Sequence, residues 1–144
     1  MKNLMIPPLL GLFLVCLSSC KAKENQITGT VELQPALQAE IQKSLKPEAV
    51  LYLIVRAAGQ TSGPPVAVKR FTQPLVFPLQ FTISSKDVMI PETPFEGNLS
   101  VTARVAQTGS ATPVKPGDIE GSALPNPIAV GTEPLKITLD KIRK

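Results

Sequence analysis

Asp118 and Glu120 stand two residues apart in the run Lys115-Pro-Gly-Asp-Ile-Glu-Gly121, and an extended backbone puts side chains of that spacing on one side. Paired carboxylates can divide acid and base work, or hold calcium. Calcium takes about six or more oxygens, and no other acidic cluster accompanies these two. The composition narrows the chemistry further: none of the 144 residues is His. That removes the commonest general base, the commonest metal ligand and every Ser–His or Cys–His nucleophile pair. The structural reading therefore outweighs the catalytic one. Pro116-Gly117 turns into a strand, and the two acids are either solvated or paired with Lys115 or Arg104. Arg56 and Arg104 each end or interrupt an apolar strand, so they read as partners in sheet-face ion pairs rather than as an anion site.

Cys20 carries a different chemistry. Lys2 supplies a short positive segment, and Leu9 to Leu17 is an apolar run broken only by Gly11. The run is shorter than the roughly 20 residues a bilayer span requires and suits the core of a signal peptide. It ends in Leu17-Ser18-Ser19-Cys20, which looks like a bacterial lipobox: an aliphatic residue, two small ones, then the cysteine that receives the lipid. The bland alternative is an ordinary secretory signal whose cleavage site adjoins a cysteine. The lipobox reading divides the chain into a signal peptide (1–19), a lipidated cysteine with a flexible polar tether (20–26), and one domain (27–144). Cys16 would leave with the signal, and the Cys20 sulfur would carry a palmitate-containing lipid. The mature chain would then hold neither a free thiol nor a disulfide, which excludes redox, Fe–S and CxxC chemistry. No second apolar run of spanning length follows, so the expectation is a protein anchored to a membrane without crossing it. Lys21 follows the cysteine, not the aspartate that commonly marks inner-membrane retention. The expected location is the bacterial envelope, facing the periplasm, with the outer membrane as the default.

Charge adds little. Lys and Arg number 15 against 11 Asp and Glu, a net charge of +4, and loss of the signal removes one lysine. The basic residues are scattered from Lys21 to Lys144, not gathered on one face, which argues against nucleic acid. The closing Lys141-Ile142-Arg143-Lys144 reads as a solvated strand end. Nothing calls for a metal, a cofactor or a small-molecule substrate, and the chain is expected not to be an enzyme.

The elements that must position these residues are mostly strands. The 15 prolines argue against long helices, while a hydrophobic content of 43% argues against disorder. Period-2 alternation places Ile27, Gly29, Val31 and Leu33 on one face, and the same pattern recurs in Phe77–Ile83, Leu99–Val105 and Leu135–Leu139. Val50–Val55 is apolar on both faces and reads as a central strand covered on both sides. Val66–Phe71 is a further strand, and Ile128–Val130 a weaker one. Leu37, Ile41 and Leu45 share a stripe at helical spacing, predicting a short helix over Pro35–Leu45 with Pro35 in its first position. About seven strands, one short helix after the first strand and no βαβ alternation define an all-β, two-sheet sandwich. The loop Lys86–Gly97 is the best candidate contact surface. Its Met89, Ile90 and Phe95 are apolar and stiffened by Pro91 and Pro94, and they either present a patch to a partner or cap the end of the sandwich.

The blocks Ile27–Leu37, Leu51–Gly59, Gly63–Arg70, Phe77–Phe81, Leu99–Gly109 and Pro116–Gly121, taken in order, resemble the C-terminal periplasmic domain of the cytochrome c-type biogenesis proteins of the CcmH/CycH family. The resemblance covers about residues 27–142. It implies an immunoglobulin-like sandwich and a part in cytochrome c maturation, where the family chaperones apocytochrome c for haem ligation. The implied partner is apocytochrome c or the maturation machinery. Members of the family carry transmembrane helices and a helical tetratricopeptide-type region before this domain, where this chain shows only its lipobox. No functional residue of the family is carried over, because the domain has no catalytic motif. The competing expectation is a general envelope lipoprotein whose sandwich scaffolds a protein complex.

Overall fold

Along Gln26–Leu33, β1, burial alternates at every residue, with Ile27, Gly29, Val31 and Leu33 turned inward. The computed structural model describes residues 25–131 and 134–144, so the signal segment and Cys20 lie outside the described residues. After β1 come α1 (Gln38–Ser44), β2 (Val50–Ala57), β3 (Ala67–Phe71), β4 (Leu79–Ser84), β5 (Asn98–Ala106), β6 (Ile119–Leu124), β7 (Ile128–Ala129), β8 (Leu135–Leu139) and β9 (Lys141–Ile142). Seven of these strands have five residues or more, and β7 and β9 have two each. The all-β architecture with one short helix after the first strand is as the patterning predicts. No helix among the described residues is long and apolar enough to cross a membrane.

The strands form two layers that share β6. One layer runs β4-β1-β8-β6, with β1 antiparallel to β4 and parallel to β8. The other runs β3-β2-β5-β6 and is antiparallel throughout, with β7 added at the start of β5 and β9 at the start of β6. The first part of β6 pairs with β5, at Ile119↔Val105 through Ser122↔Thr102. Its last two residues, Ala123 and Leu124, pair with β8. A strand that changes sheets brings other backbone very close. A Cβ on Gly121 would lie 2.0 Å from the Thr138 carbonyl oxygen, and one on Gly29 would lie 2.3 Å from that of Leu135. Both glycines stand where β8 crowds a neighbour, so no larger residue fits.

At the opposite margin, β3 and β4 are both edge strands, and side chains tie them together. Lys69 Nζ donates to the Thr82 carbonyl at 2.6 Å and lies 3.9 Å from Asp87. The segment after β4 bridges back to β3 at Ala67↔Val88. Occupied carbonyls and a lysine on the edge blunt it against pairing with other chains.

Between the layers, Val31, Ile83, Ile137 and Leu139 meet Leu51, Leu53, Val55, Val101, Val105 and Ile119, all fully buried. Each such side chain contributes about 1.5–3 kcal/mol by leaving water. The helix is shorter than predicted, because Pro35 lies in the preceding turn and Leu37 takes the N-cap position without a side-chain cap. Seven residues cannot hold a helix alone. Ile41, completely buried, pins this one over the end of the sandwich, with Leu37 and Leu45 half-buried beside it.

Candidate functional site

Asp118 shows what its carboxylate is for. The residue is buried, Oδ1 accepts from the Gln107 backbone N–H at 3.1 Å, and Oδ2 accepts from that of Lys115 at 3.0 Å. One carboxylate thus closes both ends of the 107–115 connection, using charge-assisted bonds to otherwise unpaired amides. Glu120 is engaged separately by Arg143, whose Nε lies 2.9 Å from its Oε1. The predicted pairing with the Lys115 side chain or Arg104 is therefore replaced. Lys115 contributes its backbone, and the Arg104 guanidinium donates to the Ala111 carbonyl instead. Arg56 likewise donates to a backbone carbonyl, that of Gly63, at 2.6 Å. The arginines expected in sheet-face ion pairs are loop fasteners. Among the described residues, no group of three or more His, Cys, Asp or Glu is placed to hold a metal ion.

The fastened 107–115 connection folds over the outer face of the β3-β2-β5 layer. Val50, Tyr52 and Ala106 are buried there as a second small core, with Ile54, Val68 and Ala111 packed against it. Tyr52 donates its hydroxyl to the Gly109 carbonyl at 2.6 Å, and the Arg70 guanidinium stands 5.7 Å from the centre of its ring. This explains the run of Val50–Val55, apolar on both faces: one side meets the other sheet and the opposite side meets this loop.

Among the described residues, no loop covers the outer face of the other layer. Thr28 and Thr82 are register partners on β1 and β4, as are Thr30 and Gln80. With Pro134 these four residues line a shallow groove of about 370 Å³. Beyond it, Lys136 pairs with Glu32 at 3.0 Å. The groove offers hydroxyls and an amide that can both donate and accept, and it carries no charge of its own. Such a surface can bind polypeptide through hydrogen bonds. It has no nucleophile paired with a base. Patterning shows which residues face outward here, but that this outward face is uncovered depends on where distant loops fall.

The three residues of the candidate contact loop do not share a surface. Phe95 is only 3% exposed and belongs to the core, whereas Met89 and Ile90 are 54% and 55% exposed. Thr93 N–H closes a turn onto the Ile90 carbonyl at 3.2 Å, with Pro91 second and Glu92 third at a φ of 66°. Proline followed by a positive φ is the type II pattern. The loop thus caps the sandwich with one aromatic ring and holds two aliphatic side chains out.

The family described as the cytochrome c-type biogenesis protein H Ig-like domain matches residues 27–140. A relative described as an uncharacterized protein from Aquifex aeolicus (strain VF5) is 34% identical over 122 residues, which cover 85% of this chain and 75% of the relative. Among solved structures, an alternative pilotin from the type II secretion system of Vibrio cholerae aligns with a TM-score of 0.44 and 18% identity, covering 83% of this chain and 99% of that one.

Proposed function

The chain belongs to the family of cytochrome c-type biogenesis protein H Ig-like domains, and from that premise we propose that it is a non-catalytic, protein-binding lipoprotein of the bacterial envelope that assists cytochrome c maturation. The observation that carries this reading is the extent of the match: residues 27–140 take in β1 to β8, nearly all of the sandwich. The partner is apocytochrome c or a member of the machinery that matures it. The lipid on Cys20 holds the domain at the membrane, outer rather than inner, facing the periplasm. The threonine groove of β1 and β4 is the surface on which a polypeptide is received, because its lining is polar and without charge and no loop among the described residues covers it.

The test is binding of the full chain, purified in detergent, to unfolded apocytochrome c, with folded holocytochrome and an unrelated unfolded protein as controls. Selective binding of the apo form, weakened by Thr30→Lys with Thr82→Lys, is the expected result. Equal binding to every unfolded protein, or none to any, would leave the domain a scaffold that keeps the family fold for another purpose.

A further inference from the structure

Met89 and Ile90 lie at the end of the sandwich from which the tether leaves. The Ser85 N–H donates to the Asn25 carbonyl at 3.4 Å, that of Gly131 to Gln26 at 3.3 Å and that of Val130 to Gly97 at 3.1 Å. The start of β1, the loop after β4 and the connection around β7 are therefore gathered at one end. Met89 follows Ser85 by four residues, so it stands within about 14 Å of Ser85, the residue hydrogen-bonded to Asn25 where the chain emerges. Leu124, 80% exposed, ends β6 opposite Lys136 at the start of β8, and so belongs to the same end. Of the five large hydrophobics exposed among the described residues (Val76, Met89, Ile90, Val114 and Leu124), three are thus on the tether side.

The length of chain outside the described residues sets what this end meets. From Cys20 to Asn25 are five residues, which reach at most about 18 Å when fully extended. A lipid buried in a bilayer at Cys20 therefore keeps the emerging end of the domain close to the headgroups, whatever the tilt of the sandwich.

On the reading that Cys20 is lipidated, we propose that the Met89-Ile90 turn is a membrane-docking element, seated in the phospholipid interface beside the anchor. The lipid supplies the attachment, and burial of the turn's apolar side chains beside it makes a second contact. Here the second contact is apolar. Glu92 lies within the turn and Glu96 follows it, so the docking does not depend on anionic lipid and is expected on zwitterionic vesicles. The stiff turn also fixes which way the sandwich faces, standing its sheets away from the bilayer and leaving the threonine face open sideways.

The protein has no tryptophan, so one introduced indole reports alone. The experiment places Ile90→Trp and, separately, Val76→Trp in the full lipidated chain, reconstituted into phosphatidylcholine vesicles with and without brominated acyl chains. Val76 is 67% exposed in the connection between β3 and β4, at the far end of the domain. The expected result is blue-shifted, bromine-quenched emission from Ile90→Trp and unshifted, unquenched emission from Val76→Trp. A lipidated, vesicle-bound Ile90→Trp chain that is not quenched overturns the docking and returns the turn to a protein partner. Mass spectrometry of the Cys20 peptide reads the premise independently. An unmodified cysteine there would sink the anchor and the docking together, and is distinguishable from failure of the docking alone.

Discussion

The two sheets have opposite outer faces. On the β3-β2-β5 side, Tyr52, Val50 and Ala106 are buried under the 107–115 connection, which Asp118 clamps at both ends. On the β1-β4 side, Thr28, Thr30, Gln80 and Thr82 line an open groove that no loop among the described residues covers. One sandwich thus devotes one face to stability and leaves the other to contact, and the difference lies in a single loop. The covered face is apolar because the loop supplies a roof, and the bare face is polar because water is its partner in the unbound chain.

Removing the anchor of the covered face has the largest expected effect. Tyr52→Ala empties a buried aromatic site and frees the Gly109 carbonyl, costing about 3–5 kcal/mol in denaturant unfolding, whereas Tyr52→Phe loses only the hydrogen bond, about 1 kcal/mol. If both variants cost the same small amount, the loop is a cover without energetic weight. Asp118→Ala comes next. It strands two amides at the ends of the connection and is expected to cost about 2–4 kcal/mol. Amide hydrogen exchange should then quicken at Gly109 and Ala111 before it does in β1 or β8. Thr30→Ala with Thr82→Ala has the smallest expected effect on stability, within about 0.5 kcal/mol each. The same pair should weaken apocytochrome binding measurably. A large stability loss would show that the bare face is part of the fold's support.

The contrast was only half legible in the residues. β1, β5 and β8 could be read because each keeps one face in the core, and strict alternation follows from that. The alternation that starts at Phe77 places β4 two residues too early, since Phe77 and Pro78 alternate in type but lie before the ladder begins. β6 was seen only as a strand after Pro116-Gly117. Its inward positions include Gly121, whose small size answers to the backbone of β8 and not to the water–core boundary. The doubly apolar stretch at Val50–Val55 announced cover on both sides without naming the roof, because the loop comes from more than fifty residues away. The burial of Asp118 escapes local patterning for the same reason. Its burial rests on the Gln107 amide, a partner that no local spacing reveals. In the Lys86–Gly97 loop, apolar type and proline content are the same for Phe95 as for Ile90, and only the turn closed by Thr93 separates the inward ring from the outward side chains.

Because β6 belongs to both sheets, neither layer can open alone. Melting the β8 ladder strips the end of a strand whose other end is held by β5, and loosening β5 does the reverse. The two layers should therefore exchange their amides and lose their structure as one cooperative unit, with a single transition seen by every probe.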